Sequence, residues 1–330
     1  MRAIQIHQPG GPEVLQLDEL PTPTPGPGEA LIKVAAAGVN YADLGMRAGM
    51  RFGPHQTTFP FTPGFEVAGV IVGLGPGVDA PAVGARVVAV LDAGGYAEYA
   101  VATPDKLMII PDGIDMSTAL TVFLVQGLTA YGVLHDAARI QPGESVLIQA
   151  AAGGVGSLAV QLARLAGVRP VIAAAGSAGK RDLALQLGAH HAIDYTRADW
   201  GDEVRALTGG RGVDVVLESV GGQVGAQSFQ ALAPLGRFIM FGAASGPITP
   251  PLDLMQLNVL GQTVTGFGGP WIRPGAAARA RAALADYLAQ DQLTIVRGAS
   301  FPLADAAAAH RAISERGTTG KVILQVEPQS

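Results

Sequence analysis

Short runs of alternating apolar and polar residues dominate the first 120 positions. Ile4-Gln5-Ile6 and, beyond Pro9-Gly10-Gly11-Pro12, Val14-Leu15-Gln16-Leu17 carry the period of two that marks strands, so the chain opens on a hairpin-like pair. Pro21, Pro23, Pro25 and Pro27 then remove ladder donors and predict a stiff connector over residues 21–28. Strand patterns resume at 30–36, 66–72, 85–90 and 95–101, punctuated by glycine and proline turns, which makes this half a β-domain.

The period lengthens near Ser117. An apolar helical stretch is expected over 117–134, and from Ser145 strands alternate with helices. Strands are expected at 145–149, 170–175, 213–217 and 237–241, and helices at 155–166, 180–187, 275–290 and 304–315. A last strand covers 321–326. That order predicts an α/β region built on a doubly wound parallel sheet. The longest membrane-span candidate, residues 146–168, is interrupted by Gln149, Ser157, Gln161 and Arg164, so it is expected in the core.

Composition narrows the chemistry. A length of 330 residues suits two domains, and the absence of cysteine removes disulfides, thiolate zinc sites, iron–sulfur clusters and thiol nucleophiles together. Hydrophobic residues at 48% against 15% charged describe a packed chain, and a net charge of -5 without a basic run argues against nucleic acid or an anionic membrane as partner. Met1-Arg2-Ala3-Ile4-Gln5-Ile6-His7 has no continuous apolar stretch of signal-peptide length, so a cytoplasmic location is expected.

The strongest motif follows the strand at 145–149. Ala151-Ala152-Gly153-Gly154-Val155-Gly156 lies between that strand and the next helix, the context in which a glycine turn binds a dinucleotide. Gly153 would let the backbone approach a pyrophosphate, and Gly156 would let helix and strand pack closely; Ala152, Gly154 and Val155 complete the turn. The second strand ends without the carboxylate that would accept from a ribose 2′-hydroxyl. Gly176, Ser177, Lys180 and Arg181 stand there instead, which favours NADPH over NADH.

Four further segments accompany this turn: Gly38-Val39-Asn40-Tyr41-Ala42-Asp43, Thr62-Pro63-Gly64-Phe65-Glu66-Val67-Ala68-Gly69, Gly94-Gly95-Tyr96-Ala97-Glu98-Tyr99 and Thr318-Thr319-Gly320-Lys321-Val322. Together they resemble the zinc-independent quinone oxidoreductase (ζ-crystallin-like) branch of the medium-chain dehydrogenase/reductases. The resemblance implies a GroES-like β-domain from residues 1–122 and 268–330, with a Rossmann domain at 123–267. It places Asn40 and Phe65 where zinc-dependent relatives carry a cysteine and a histidine, so no metal is expected. Lys180, Tyr195 and Arg316 would grip the 2′-phosphate. Ser219, the turn Phe241-Gly242-Ala243-Ala244-Ser245, Phe267 and Thr129 would meet the rest of the cofactor. Asn40 would stand beside both nicotinamide and acceptor, with Arg51 as a second catalytic candidate. A homodimer is also implied, with the strand-like Asn258–Thr265 stretch pairing across a two-fold axis.

These residues imply hydride transfer to an acceptor polarised by hydrogen-bond donors alone: a quinone or an α,β-unsaturated carbonyl. An enoyl-thioester reductase and a non-catalytic NADPH-binding sensor or structural protein remain as alternatives. The other singled-out side chains are less informative. His55 could supply a proton, whereas His7, His135, His190, His191 and His310 are expected on the surface, and Glu66 in a structural hydrogen bond or ion pair.

Overall fold

The computed structural model describes residues 1–50, 58–269 and 273–326. Strand β1 (Arg2–Ile6) pairs antiparallel with β2 (Leu15–Glu19), as the alternating start predicts. Then follow β3 (Ala30–Val39), helix α1 (Tyr41–Arg47), β4 (Glu66–Leu74), β5 (Arg86–Val90), β6 (Tyr99–Ala102) and β7 (Leu107–Ile109). The expected strand at 95–101 forms ladder pairs only from Tyr99; Ala97 makes an isolated bridge to Ala3.

Helices α2 (Met116–Phe123) and α3 (Val125–Gly132) replace the single helix expected over 117–134, since Leu124 leaves helical geometry at φ -117 and ψ -142. A wider-pitch turn continues from Val133 to Ala138. The stretch Met116–Ala138, rather than the expected 146–168, has the length and hydropathy of a membrane span, but 78% of its most apolar window is buried inside the protein. It serves as core.

The next elements are β8 (Val146–Ile148), α4 (Gly154–Leu165), β9 (Val171–Ala174), α5 (Ala178–Gln186), β10 (His191–Ile193), α6 (Trp200–Leu207), β11 (Val213–Glu218), α7 (Gly222–Gln230), β12 (Leu232–Met240), α8 (Leu254–Leu260), β13 (Thr263–Gly266) and α9 (Ala276–Ala289). The sheet order β10-β9-β8-β11-β12-β13, parallel throughout, is that of a Rossmann fold. Strands β8 and β9 are buried along their whole length, as expected where helices cover both faces. The strand expected at Asn258–Thr265 is half helical: Asp253 caps α8, accepting from the Met255 N–H, and Gly261 ends it at φ 61, so only β13 joins the sheet.

Strand β14 (Arg297–Pro302), helix α10 (Ala306–Ser314) and strand β15 (Lys321–Gln325) return to the β-domain, whose sheet runs β14-β15-β3-β4-β5-β7, with β15 antiparallel to β3 and β6 also paired to β3. The chain accordingly divides into Met1–Val125 with Val296–Ser330, and Gln126–Ile295. The second crossing falls at 295/296 rather than at the expected 267/268. Residues 273–294 are bonded to the Rossmann unit: Arg273 donates to the Asp136 carbonyl, Arg279 pairs with Asp136, and Gln161 exchanges two hydrogen bonds with Thr294.

Candidate functional site

The glycine turn leaves β8 through Gln149 and Ala150, the latter at φ 49, and reaches α4 with Gly153 as its N-cap in extended conformation. Gly156 is required by packing: a Cβ there would collide with the Ala150 carbonyl oxygen and come within 2.7 Å of Ala151 Cα. A Cβ on Gly153 would find only the Ala150 oxygen, at 3.2 Å. Gly153 therefore keeps its neighbourhood open beside the first-turn N–H groups of α4, which have no partner within the helix and attract an anion. These features fit a dinucleotide pyrophosphate. Gln126, which sequence reasoning missed, lies over Gly154, and its Oε1 is buried without a hydrogen-bond partner.

At the neighbouring strand ends, Gly176 and Tyr195 come together, the tyrosine hydroxyl 3.3 Å from where a Gly176 Cβ would stand. Ser177 occupies the N-cap position of α5 in extended conformation, putting Lys180 in the first turn. Arg181, in the same turn, pairs with Asp194 at 2.8 Å. On the other side of β8, the Ser219 and 241–245 turns are zipped together. Ala244 N–H donates to Ser219 O at 3.1 Å, and Ser245 N–H to Val220 O at 2.6 Å. Glu218, also missed from sequence, holds this turn by accepting from the Val220 and Gly221 N–H groups at 2.5 and 2.8 Å, and burial raises its carboxyl above the usual range. The Phe267 ring packs on Gly132, one turn beyond Thr129 on α3.

A second set of expected residues lies in the other unit. Asn40 ends β3 as the N-cap of α1, and Asp43 accepts its backbone N–H at 2.8 Å. The Asn40 carboxamide is held at both ends. Nδ2 donates to Glu66 Oε1 at 2.7 Å, while Oδ1 accepts from Lys321 Nζ at 2.9 Å. Lys321 and Glu66 also pair directly, with side chains 1% and 0% exposed, and Glu66 Oε2 accepts from the Val125 N–H. Gly38 makes room for them, since a Cβ there would overlap the Lys321 and Glu66 side chains.

Deeper still, the Tyr96 hydroxyl lies 3.1 Å from His310 Nε2, and Arg47 Nη1 lies 3.2 Å from His310 Nδ1. His310 is fully buried, correcting the surface expectation; burial, with Arg47 beside it, lowers its pKa to about 3. Burial raises the Asp43 pKa to about 7. His190 and His191 are half-buried, as is His135, whose Nε2 has no partner.

The residues at this place do not fit a zinc ion. Position 40 is an amide and position 65 a phenyl ring, and the ammonium bonded to Asn40 already supplies a positive charge. Among the described residues no group of three or more His, Asp or Glu side chains could hold a metal. Arg51 and His55 lie outside the described residues. Arg316 is exposed after α10 at φ 57.

Comparison with known proteins matches residues 26–112 to the alcohol dehydrogenase GroES-like domain and 154–274 to the zinc-binding dehydrogenase family. A 2-haloacrylate reductase from a Burkholderia species is 34% identical, covering 98% of each chain. The quinone oxidoreductase of Pseudomonas aeruginosa is 36% identical over 98% of this chain and 99% of its own. The crystal structure of Escherichia coli quinone oxidoreductase complexed with NADPH aligns with a TM-score of 0.90 at 32% identity, covering 98% of this chain and 100% of that one.

Proposed function

Since the chain belongs to the zinc-independent quinone oxidoreductase branch of the medium-chain dehydrogenase/reductases, we propose that it reduces quinones or α,β-unsaturated carbonyls with NADPH. It is an oxidoreductase, and NADPH is its cofactor. The observation that carries the acceptor class is the amide at Asn40, bonded to Glu66 and Lys321 where a ligand set would need thiolate and imidazole. A carbonyl polarised only by hydrogen bonds accepts hydride readily when it is already electrophilic.

When bound, the cofactor supplies the hydride. The chain's own residues do the rest. The first turn of α4 and Gly153 would receive the pyrophosphate, the Glu218-held turn fixes Ser219 beside the 241–245 turn, and Lys180 with Tyr195 would read the 2′-phosphate. Asn40 donates from Nδ2 to the acceptor oxygen as negative charge develops there. The acceptor gains one hydride and one proton, the proton coming from solvent.

Purified protein should oxidise NADPH in the presence of a simple ortho-quinone or an enone. Absence of turnover across a panel of both would refute the acceptor class. Lys180→Ala should weaken NADPH roughly ten- to a hundredfold, the range of a charge-assisted hydrogen bond, while leaving NADH within about twofold. Fluorescence titration of both dinucleotides checks this, and equal losses would place the 2′-phosphate elsewhere.

A further inference from the structure

Lysine is rarely buried, and a buried ion pair contributes little net stability over apolar side chains of the same volume. Lys321 and Glu66 are nevertheless both buried, and their shared third partner is the Asn40 carboxamide. An asparagine amide has two N–H donors and one acceptor oxygen. Glu66 takes one donor and Lys321 occupies the oxygen, so the network fixes which end is nitrogen and leaves a single Nδ2–H for a ligand. The pair comes from distant segments: Glu66 starts β4, and Lys321 starts β15, next to β3. Gly38 on β3 keeps the space between them clear.

We propose that Lys321 and Glu66 are positioning residues for the reduction. They lock the Asn40 amide in one orientation, and the ammonium draws electron density toward Oδ1, which strengthens the remaining Nδ2–H as a donor to the reduced oxygen. This internal cation acts through an amide and does not touch the acceptor. The inference rests on Asn40 serving the acceptor, as proposed above.

The test separates positioning from folding. Lys321→Met alone strands a buried carboxylate and can fail to fold, so the informative protein is Lys321→Met with Glu66→Gln, which buries no charge and keeps an acceptor for Asn40 Nδ2. With NADPH and an ortho-quinone, this double variant should lose roughly ten- to a hundredfold in kcat, while KM for the quinone and Kd for NADPH stay within about threefold. Asn40→Ala should cause a loss of the same order in the native background and no further loss in the double variant, because Lys321 and Glu66 act through that amide. Lys321→Arg, which keeps the cation, should retain more kcat than the double variant.

A folded double variant with near-native kcat, or losses that add with Asn40→Ala, would overturn the positioning role. Native kcat for Asn40→Ala alone would instead overturn the reading of Asn40 on which the inference rests.

Discussion

Gly156→Ala should destabilise the protein, whereas Gly153→Ala should leave it folded and unable to hold NADPH tightly. The two glycines lie three residues apart in one turn, but their surroundings differ. A methyl at 156 meets backbone on β8's exit, the Ala150 oxygen and Ala151 Cα, which cannot yield as a side-chain tip could. Relief requires α4 to lift from the sheet. Overpacking of this kind costs about 1–3 kcal/mol or more, which corresponds to a fall in Tm on the order of 5 °C for a domain of this size.

A methyl at 153 has room, with one oxygen at 3.2 Å, so Tm should shift by no more than about 2 °C. Its cost falls on the ligand, because it fills the side of the turn where the helix amides receive an anion. NADPH affinity should drop roughly tenfold or more. Thermal melts beside NADPH titrations distinguish the two. If Gly153→Ala destabilised as strongly as Gly156→Ala, or bound NADPH normally, the division of labour in the turn would be wrong.

That turn was legible because its signal is local: a buried strand, spaced glycines and a helix follow one another in sequence. The same locality explains what could not be read. Helix α1 spans only seven residues, and β10 three, too few for either period to emerge. The apolar residues around Val259 look like strand until the Asp253 cap and Gly261 stop fold them into α8. The crossing at 295/296 depends on side chains of Arg273, Arg279 and Gln161 reaching partners far away in sequence.

Burial of individual polar residues was the least legible property of all. Neither Lys321 nor His310 carries a sequence mark separating it from a surface lysine or histidine. Each is buried because β15 and α10 return to the β-domain and bring them against Glu66 and Tyr96. Asn40 was placed by family resemblance, and its two partners became visible only in three dimensions.

The buried cluster around α1 should give two single substitutions with opposite pH signatures. Burial strips water from the Asp43 carboxyl and raises its pKa to about 7, against 3.8 for an exposed aspartate, although the Asn40 N–H and the Lys321 charge pull the other way, so Asp43 holds a proton near neutrality. Between those values the folded state binds a proton that the unfolded chain does not. Its stabilising contribution is full below about pH 3.8 and is lost as pH rises through about 7. His310 behaves in reverse. Its pKa falls from 6.5 to about 3, so its contribution is present above pH 6.5 and is lost as pH falls toward 3.

Over the shared window from about 3.8 to 6.5 the two slopes oppose, each on the order of 1.4 kcal/mol per pH unit. Asp43→Asn keeps an oxygen for the Asn40 N–H and removes the first slope. Relative to the native protein it should gain a few kcal/mol between pH 4 and pH 8. His310→Gln removes the second, and should lose a comparable amount relative to the native protein between pH 4 and pH 7. Denaturant unfolding at four or five pH values measures both differences. Parallel stability profiles for the three proteins would mean that Asp43 and His310 titrate in the folded state as they do in the unfolded chain. Two profiles diverging in opposite directions would show that burial holds Asp43 protonated and His310 neutral within one connected core.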